Sequence, residues 1–326
     1  EILGQLSSNG RVFLINPHGI VFGPDAVVDT AGFTASTLDM TDQDFLQGNL
    51  RFESGPESGA IRNQGLITAS AGGDVFLIAP EIENSGIVTT DGGELVLAAG
   101  QSVTIAGAGR DQVLFEVQAP GDCVLNLGKL LADGGAVGVF AGTLTHAGEI
   151  RADTVSRDET GAVVLTASRD LTVEAGSLTR ADGAQGGTVV IESVSGDAVV
   201  QGRVSAAGTS GEGGTIHVLG ERVALWGGAE LDASGEAGGG EVLVGGDYQG
   251  QGDVHRSRHT VMDPDASIRA NARTSGDGGK AVLWSDGTTR AHGAVEARGG
   301  EQSGDGGLVE VSGKENLVFD ARIDTR

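Results

Sequence analysis

Six histidines, 45 aspartates and glutamates and a single cysteine are the residues of this 326-residue chain that could do chemistry. The histidines do not converge. His146, His217, His255, His259 and His292 fall on different repeats and strand types, and no HxH or HExxH spacing occurs. His255 and His259 lie four apart, but beside Arg256 and Arg258 in a segment with no helical pattern, so they do not form the one-face pair that binds zinc. His217 alternates with Ile216 and Val218, which places it outward or half-buried on a strand. SGDGG (275–279 and 303–307) resembles glycine–aspartate calcium turns, yet the full nonapeptide never occurs in tandem, and an aspartate in such a turn caps its own backbone. No metal and no cofactor are expected. Phosphate loops of the GxGxxG type need a following helix, and GxSxG is absent. Cys123 reads as a small buried apolar side chain rather than a nucleophile.

The carboxylates give the one serious route to catalysis, because polysaccharide-cleaving sites need two or three of them converging at about 5 to 10 Å. Here Asp74, Asp91, Asp133, Asp182, Asp232, Asp277 and Asp305 sit in glycine turns. Stacked, they would form an acidic ladder that keeps the molecule soluble and discourages side-to-side association. Sugar-stacking platforms are scarce, with Trp226, Trp284, Tyr248 and nine Phe. The chain reads as a non-enzyme. Asn16, Pro17, His18, Gly19 and Ile20 form a different constellation. Pro17 at i+1 and Gly19 at i+3 make a type I turn pattern, and Asn16 can hydrogen-bond the backbone two residues on.

The elements that would position these residues come from an internal repeat. An apolar strand follows a glycine pair in GGDVFLIAP (72–80), GGELVLAAG (92–100), GGAVGVFAG (134–142), GGTVVIESV (186–194), GGTIHVLGE (213–221), GGEVLVGGD (239–247), GGKAVLWSD (278–286) and GGLVEVSGK (306–314). GAVVLTASR (161–169) is a degenerate copy. A second strand type precedes each pair, as in GLITAS (65–70), GIVTTD (86–91) and GRVSAAG (202–208). A third follows it, as in EIENSG (81–86), QSVTIAG (101–107) and ERVALWGG (221–228). Three short strands per period, mostly 20 to 28 residues apart and joined by glycine turns that supply positive φ, predict one solenoid coil. Twelve or thirteen coils of roughly 25 residues would stack at about 4.8 Å into a single elongated rod near 60 Å long. The expectation is an all-β, right-handed parallel β-helix without helices. YQGQGDVHRSRH (248–259) reads as a loop thrown out from the stack.

Composition agrees. Glycine reaches 57 residues, proline only 6, and aromatics 4% against 39% apolar residues, so the core must be Val, Ile, Leu and Ala. A net charge of −24 repels phosphate backbones and anionic lipid, which disfavours nucleic-acid and membrane-surface partners. No run nears the roughly 18 apolar residues that would span a bilayer.

SSNGRVFLINPHGIVFGPDAVVDTAGFTASTLDM (7–40) resembles the secretion-domain region of filamentous haemagglutinin-type exoproteins, the exported partners of two-partner secretion systems in Gram-negative bacteria. The likeness centres on Asn9, Gly10, the strand 12–15, and Asn16, Pro17, His18, Gly19 and Ile20, which match an Asn-Pro-Asn-Gly-Ile motif except that His18 replaces the second Asn. Residues 63–103, 245–250, 275–300 and 304–314 resemble the coils and shaft of the same exoproteins. The resemblance implies that 1–62 is the C-terminal part of a secretion domain, with its earlier part before Glu1, and that 63–326 is a repetitive shaft. It also implies an outer-membrane transporter as partner, recognition of residues 16–20 by that transporter's periplasmic domains, and a secreted or cell-surface location. The expected role is a β-helical stalk for adhesion to a host or neighbouring-cell glycan or protein receptor. The alternatives are the delivery shaft of a contact-dependent toxin or haemolysin and, third, a polysaccharide lyase or glycosidase.

Overall fold

A computed structural model describes residues 1–55, 57–106, 114–118, 121–154 and 160–326. They form two compact units, Glu1–Glu149 and Ile150–Arg326. Each is a right-handed parallel β-helix whose coils contribute one strand to each of three sheets.

In the first unit, the first sheet pairs Arg11–Ile15, Gly32–Ser36, Val75–Ala79, Glu94–Ala99 and Ala136–Ala141 in parallel. The second sheet runs Ile20–Phe22, Ile61–Asn63, Glu81–Asn84, Cys123–Asn126 and Thr143–His146. The third runs Gln5–Ser7, Val27–Thr30, Leu66–Ala69, Ile87–Asp91 and Lys129–Asp133. In the second unit, the first sheet contains Ala162–Ala167, Thr188–Ser193, Thr215–Leu219, Glu241–Val244, Lys280–Ser285 and Leu308–Gly313. Its second sheet includes Asp197–Val200, Arg222–Leu225, His259–Met262 and Thr288–Ala291. The core is a stack of equivalent positions. Val163, Val189, Ile216, Val242 and Ala281 lie in register and are wholly buried, and each branched or larger member is worth about 1.5–3 kcal/mol.

Among the described residues the first and second sheets have eleven strands each and the third has twelve, in keeping with about twelve coils. Some residues counted toward coils lie outside them. Leu50–Glu53, Ser102–Ala106 and Leu114–Gln118 form a three-stranded antiparallel sheet instead. This corrects the assignment of QSVTIAG (101–107) to a coil, although its last residue, Gly107, lies outside the described residues. Cys123–Asn126 takes the coil position that this segment was expected to fill. Phe52, Val103 and Ile105 of the added sheet pack on Phe76, Ile78, Val96 and Ala98, which point out of the coil wall. The wall strands there are buried on both faces, and their sequences, VFLIA and, after Glu94, LVLAA, are accordingly unbroken apolar runs. In the second unit TVVIES alternates, with only one face buried.

A short α-helix, Asp42–Gln47, corrects the expectation of no helix. Thr41 Oγ1 accepts the Asp44 N–H at 3.1 Å, and Gly48 closes the helix at φ +73°. Six residues are too few to show a helical period.

The loop 248–258 leaves the second unit as expected, opening with a 3-10 turn at Tyr248–Gly250. Val254 covers the outward side chains Leu243, Val282 and Trp284. Lys280 holds the base of the loop through Asp247 and also reaches Glu241 at 3.1 Å, while Gln249 N donates to Glu310 Oε2 at 2.8 Å. Hydrogen bonding to His217 and Lys280 holds the Glu241 carboxyl down at about 2.

In the first unit the two glycines of a pair do different work. Gly92 has φ +71° and open space where a Cβ would go, as a tight corner requires. Gly93 has no such dihedral; a Cβ there would sit 2.0 Å from the Gly73 carbonyl oxygen of the preceding coil. The second glycine is thus demanded by the approach of one coil to the next.

Candidate functional site

Residues 16–20 join the first-sheet strand Arg11–Ile15 to the second-sheet strand Ile20–Phe22. Asn16 N extends the ladder by donating to Ser36 O at 2.9 Å, and Gly19 N donates back to Asn16 O at 3.2 Å, closing the turn. The Asn16 side chain spans it. Oδ1 accepts from His18 N at 3.2 Å, and Nδ2 donates to Gly19 O at 3.1 Å. Gly19 sits at φ +106°, a conformation closed to most side chains. The segment 57–60 buttresses the turn. Gly59 N donates to Pro17 O at 2.7 Å, Ile20 N to Ala60 O at 3.0 Å, and Thr37 Oγ1 to Gly59 O at 2.7 Å.

Exposure divides the motif. Ile20 is buried in the core and Asn16 and Gly19 are half-buried, whereas Pro17 and His18 face solvent. His18 Nδ1 lies 3.5 Å from Glu57 Oε2, with both side chains 75% exposed, so the pair adds little stability. The geometry therefore presents Pro17 and His18 on a scaffold fixed by Asn16, Gly19 and Ile20.

Sequence reasoning missed a buried polar ladder in the first unit. Asn63 Nδ2 donates to Asn84 Oδ1 at 2.8 Å, Asn84 Nδ2 to Asn126 Oδ1 at 2.8 Å, and Asn126 Nδ2 lies 3.1 Å from His146 Nδ1. All four residues are buried. The signal was a recurring pattern at the end of the second-sheet strand: Asn63 and Gly65, Asn84 and Gly86, Asn126 and Gly128, His146 and Gly148. His146, read as one of several scattered histidines, is the end of this ladder.

The other candidates do not assemble. His217 Nε2 pairs with Glu241 Oε1 at 3.1 Å, His255 Nδ1 lies 3.7 Å from Glu192 Oε1, and His292 Nδ1 lies 3.7 Å from Asp320 Oδ2. His259 is exposed and begins a second-sheet strand. Among the described residues no three His, Cys, Asp or Glu side chains are grouped to hold a metal ion. Cys123 is exposed, which corrects the expectation of burial: Val124 and Asn126 point inward, so Cys123 points out beside Glu81. Partial desolvation, with the charges of Glu81 and Asp122, pushes its thiol up, away from nucleophile behaviour.

Asp232 caps its own backbone as expected, its Oδ1 accepting from Ser234 N at 3.0 Å, whereas other turn aspartates cap the next coil. Asp74 Oδ1 accepts from Glu94 N at 3.1 Å, Asp182 Oδ1 from Ala207 N at 2.7 Å, and Asp277 Oδ1 from Asp305 N at 2.7 Å. One neighbour is left uncomfortable. Burial, then the charge of Asp74, pushes the Glu94 carboxyl up to about 7 from 4.5. The folded protein thus holds this proton more tightly than the unfolded chain, and its contribution to stability is lost as pH rises from about 4.5 through 7. Glu94→Gln should remove that loss. Urea unfolding should find the variant about 1 kcal/mol more stable than wild type at pH 8, a figure reduced for the half-exposed site, and equal to it at pH 4. An unchanged difference between the two pH values would refute the assignment.

The family model that matches is the TPS secretion domain, over residues 1–239. Among solved structures, the crystal structure of the HMW1 secretion domain from Haemophilus influenzae is similar at a TM-score of 0.75 and 34% identity, covering 98% of this chain and 79% of that one. No curated protein matches.

Proposed function

Because this chain belongs to the TPS secretion-domain family, exoproteins exported across the outer membrane by a dedicated transporter partner, we propose that residues 16–20 are read by that transporter and that the folded chain then serves as a cell-surface adhesin. The observation that carries the reading is the family match over residues 1–239, which includes the turn. Pro17 and His18 are its accessible side chains, and Asn16 sets their geometry through two local hydrogen bonds. Because those bonds are local, a short extended segment can form them before the coils stack, while the chain is still threading through a pore. A single cysteine leaves no intrachain disulfide to obstruct that passage. Among the described residues no helix is long and apolar enough to cross a membrane.

The family and fold are those of a secretion domain rather than an enzyme family. The adhesin reading adds that the exported coils act by contact with glycan or protein receptors on a host or neighbouring cell, without chemistry of their own. Asn16→Ala tests the recognition half. Co-expressed with the transporter, the variant should accumulate in the supernatant at least about fivefold less than wild type. Loss of its two hydrogen bonds should lower the stability of the purified protein by only about 1 kcal/mol. Wild-type secretion of this variant would discard the recognition role. Adherence of cells displaying the exported chain, compared with cells lacking it, tests the second half.

A further inference from the structure

We propose that Trp226 is the platform of a binding site for neutral glycans on the second unit. The corner that follows the second-sheet strands presents one side chain per coil: Gln201, Trp226, Asp263 and His292. Each follows directly on Val200, Leu225, Met262 and Ala291, which are register partners. The ladder continues through the corner, with Trp226 N donating to Val200 O at 2.8 Å, Asp263 N to Leu225 O at 2.9 Å and His292 N to Met262 O at 3.0 Å. These residues are therefore held in a row at about 4.8 Å steps.

Three observations point to a ligand. Trp226 is 51% exposed, whereas Trp284 is 8% exposed and packed under the 248–258 loop. The fold has no need of an indole at that corner, and leaving it in water forgoes the burial it would gain elsewhere. The space beside it is clear: Gly227 and Gly228 follow at φ +60° and +84°, and a Cβ on Gly227 would meet nothing closer than Gln201 Oε1 at 3.9 Å. The flanking polar groups are available. Asp263 Oδ2 accepts from Gly227 N at 3.1 Å, its Oδ1 takes no hydrogen bond from the described residues, and neither does the Gln201 side chain make one there.

An indole face with an amide on one side and a carboxylate oxygen on the other matches a pyranose ring. Its C–H face packs on the aromatic surface, and its hydroxyls bond to Gln201 and Asp263. Asp263, the nearby Asp265 and the net charge of −24 repel sialic and uronic acids, which selects uncharged hexoses. A shallow site of this kind binds one ring at roughly millimolar Kd and acts through many copies at a surface. The site deepens the adhesin reading and rests on it for its purpose.

Intrinsic fluorescence of the full chain tests the site, because the protein contains two tryptophans. Titration with methyl glycosides of galactose, glucose and mannose should give saturable quenching of the wild type with at least one of them, and ligand-observed NMR with that glycoside should find binding at least about tenfold weaker in Trp226→Ala, while the urea midpoint of that variant stays at the wild-type value. No saturable change with any of the three overturns the site, as does binding of equal affinity in Trp226→Ala or tighter binding of N-acetylneuraminic acid. Adherence by cells displaying the wild-type chain, with no sugar bound by the purified protein, overturns the site and leaves the adhesin reading standing. Sugar binding by a protein whose cells do not adhere supports the site and overturns that reading.

Discussion

Asn84→Ala should lower the stability of the folded protein by about 3–5 kcal/mol, measured by urea unfolding at neutral pH. Asn84 is the middle of the buried amide ladder, donating to Asn126 and accepting from Asn63, each at 2.8 Å. Truncation leaves Asn63 Nδ2 and Asn126 Oδ1 without their partner in a space closed to water, and each orphaned group costs about 1–3 kcal/mol. A cavity adds to this. The same loss from an exposed asparagine such as Asn49 would be a few tenths of a kcal/mol. A measured change below about 1 kcal/mol would mean that the neighbouring amides close the gap by re-pairing, and would refute a stabilising role for the ladder.

Gly93→Ala should be the more damaging of two substitutions at adjacent glycines. Its new methyl would fall 2.0 Å from the Gly73 carbonyl oxygen and 2.8 Å from Thr90 Oγ1. The first of these is backbone, tied into the wall, and cannot swing aside as a flexible side chain would. The expected cost is at least about 3 kcal/mol, at or beyond the upper end for overpacking, with much of the variant recovered as insoluble material. Gly92→Ala has open space and meets only the strain of φ +71°, about 1–2 kcal/mol. Measuring both variants separates the two roles of the glycine pair. Equal losses, or a larger loss at Gly92, would refute the close-approach account.

Local regularities were what the sequence disclosed. The eight glycine-pair strands all occupy the first sheet, because period-2 apolar patterning and adjacent glycines are properties of a few consecutive residues. The Asn16 turn was legible for the same reason: its hydrogen bonds span two or three positions. Its buttress was not, since Gly59 and Ala60 reach it from some forty residues away. The antiparallel sheet was misread because Val103 and Ile105 alternate as well for one kind of pairing as for the other. The unbroken apolar runs at 75–79 and 95–99 did carry the hint that something covers them. The amide ladder was written in Asn63, Asn84 and Asn126, each two residues ahead of a glycine. Polar residues at strand ends read as surface until the coil places them inside.

The glycine stacks bear on how such a chain can change over generations. Gly73 carries Gly93, Gly93 carries Gly135, and in the other unit Gly187, Gly214, Gly240, Gly279 and Gly307 repeat the contact. Every such layer offers the next one the same footing it received. A gene segment duplicated in tandem therefore brings a layer that already fits at both of its interfaces, and deletion of a whole period rejoins surfaces that match. Growth in whole periods leaves the packing solution intact. New sequence of arbitrary length is accommodated at corners such as those after Gly100 and Gly245, where the backbone departs from the wall before resuming it.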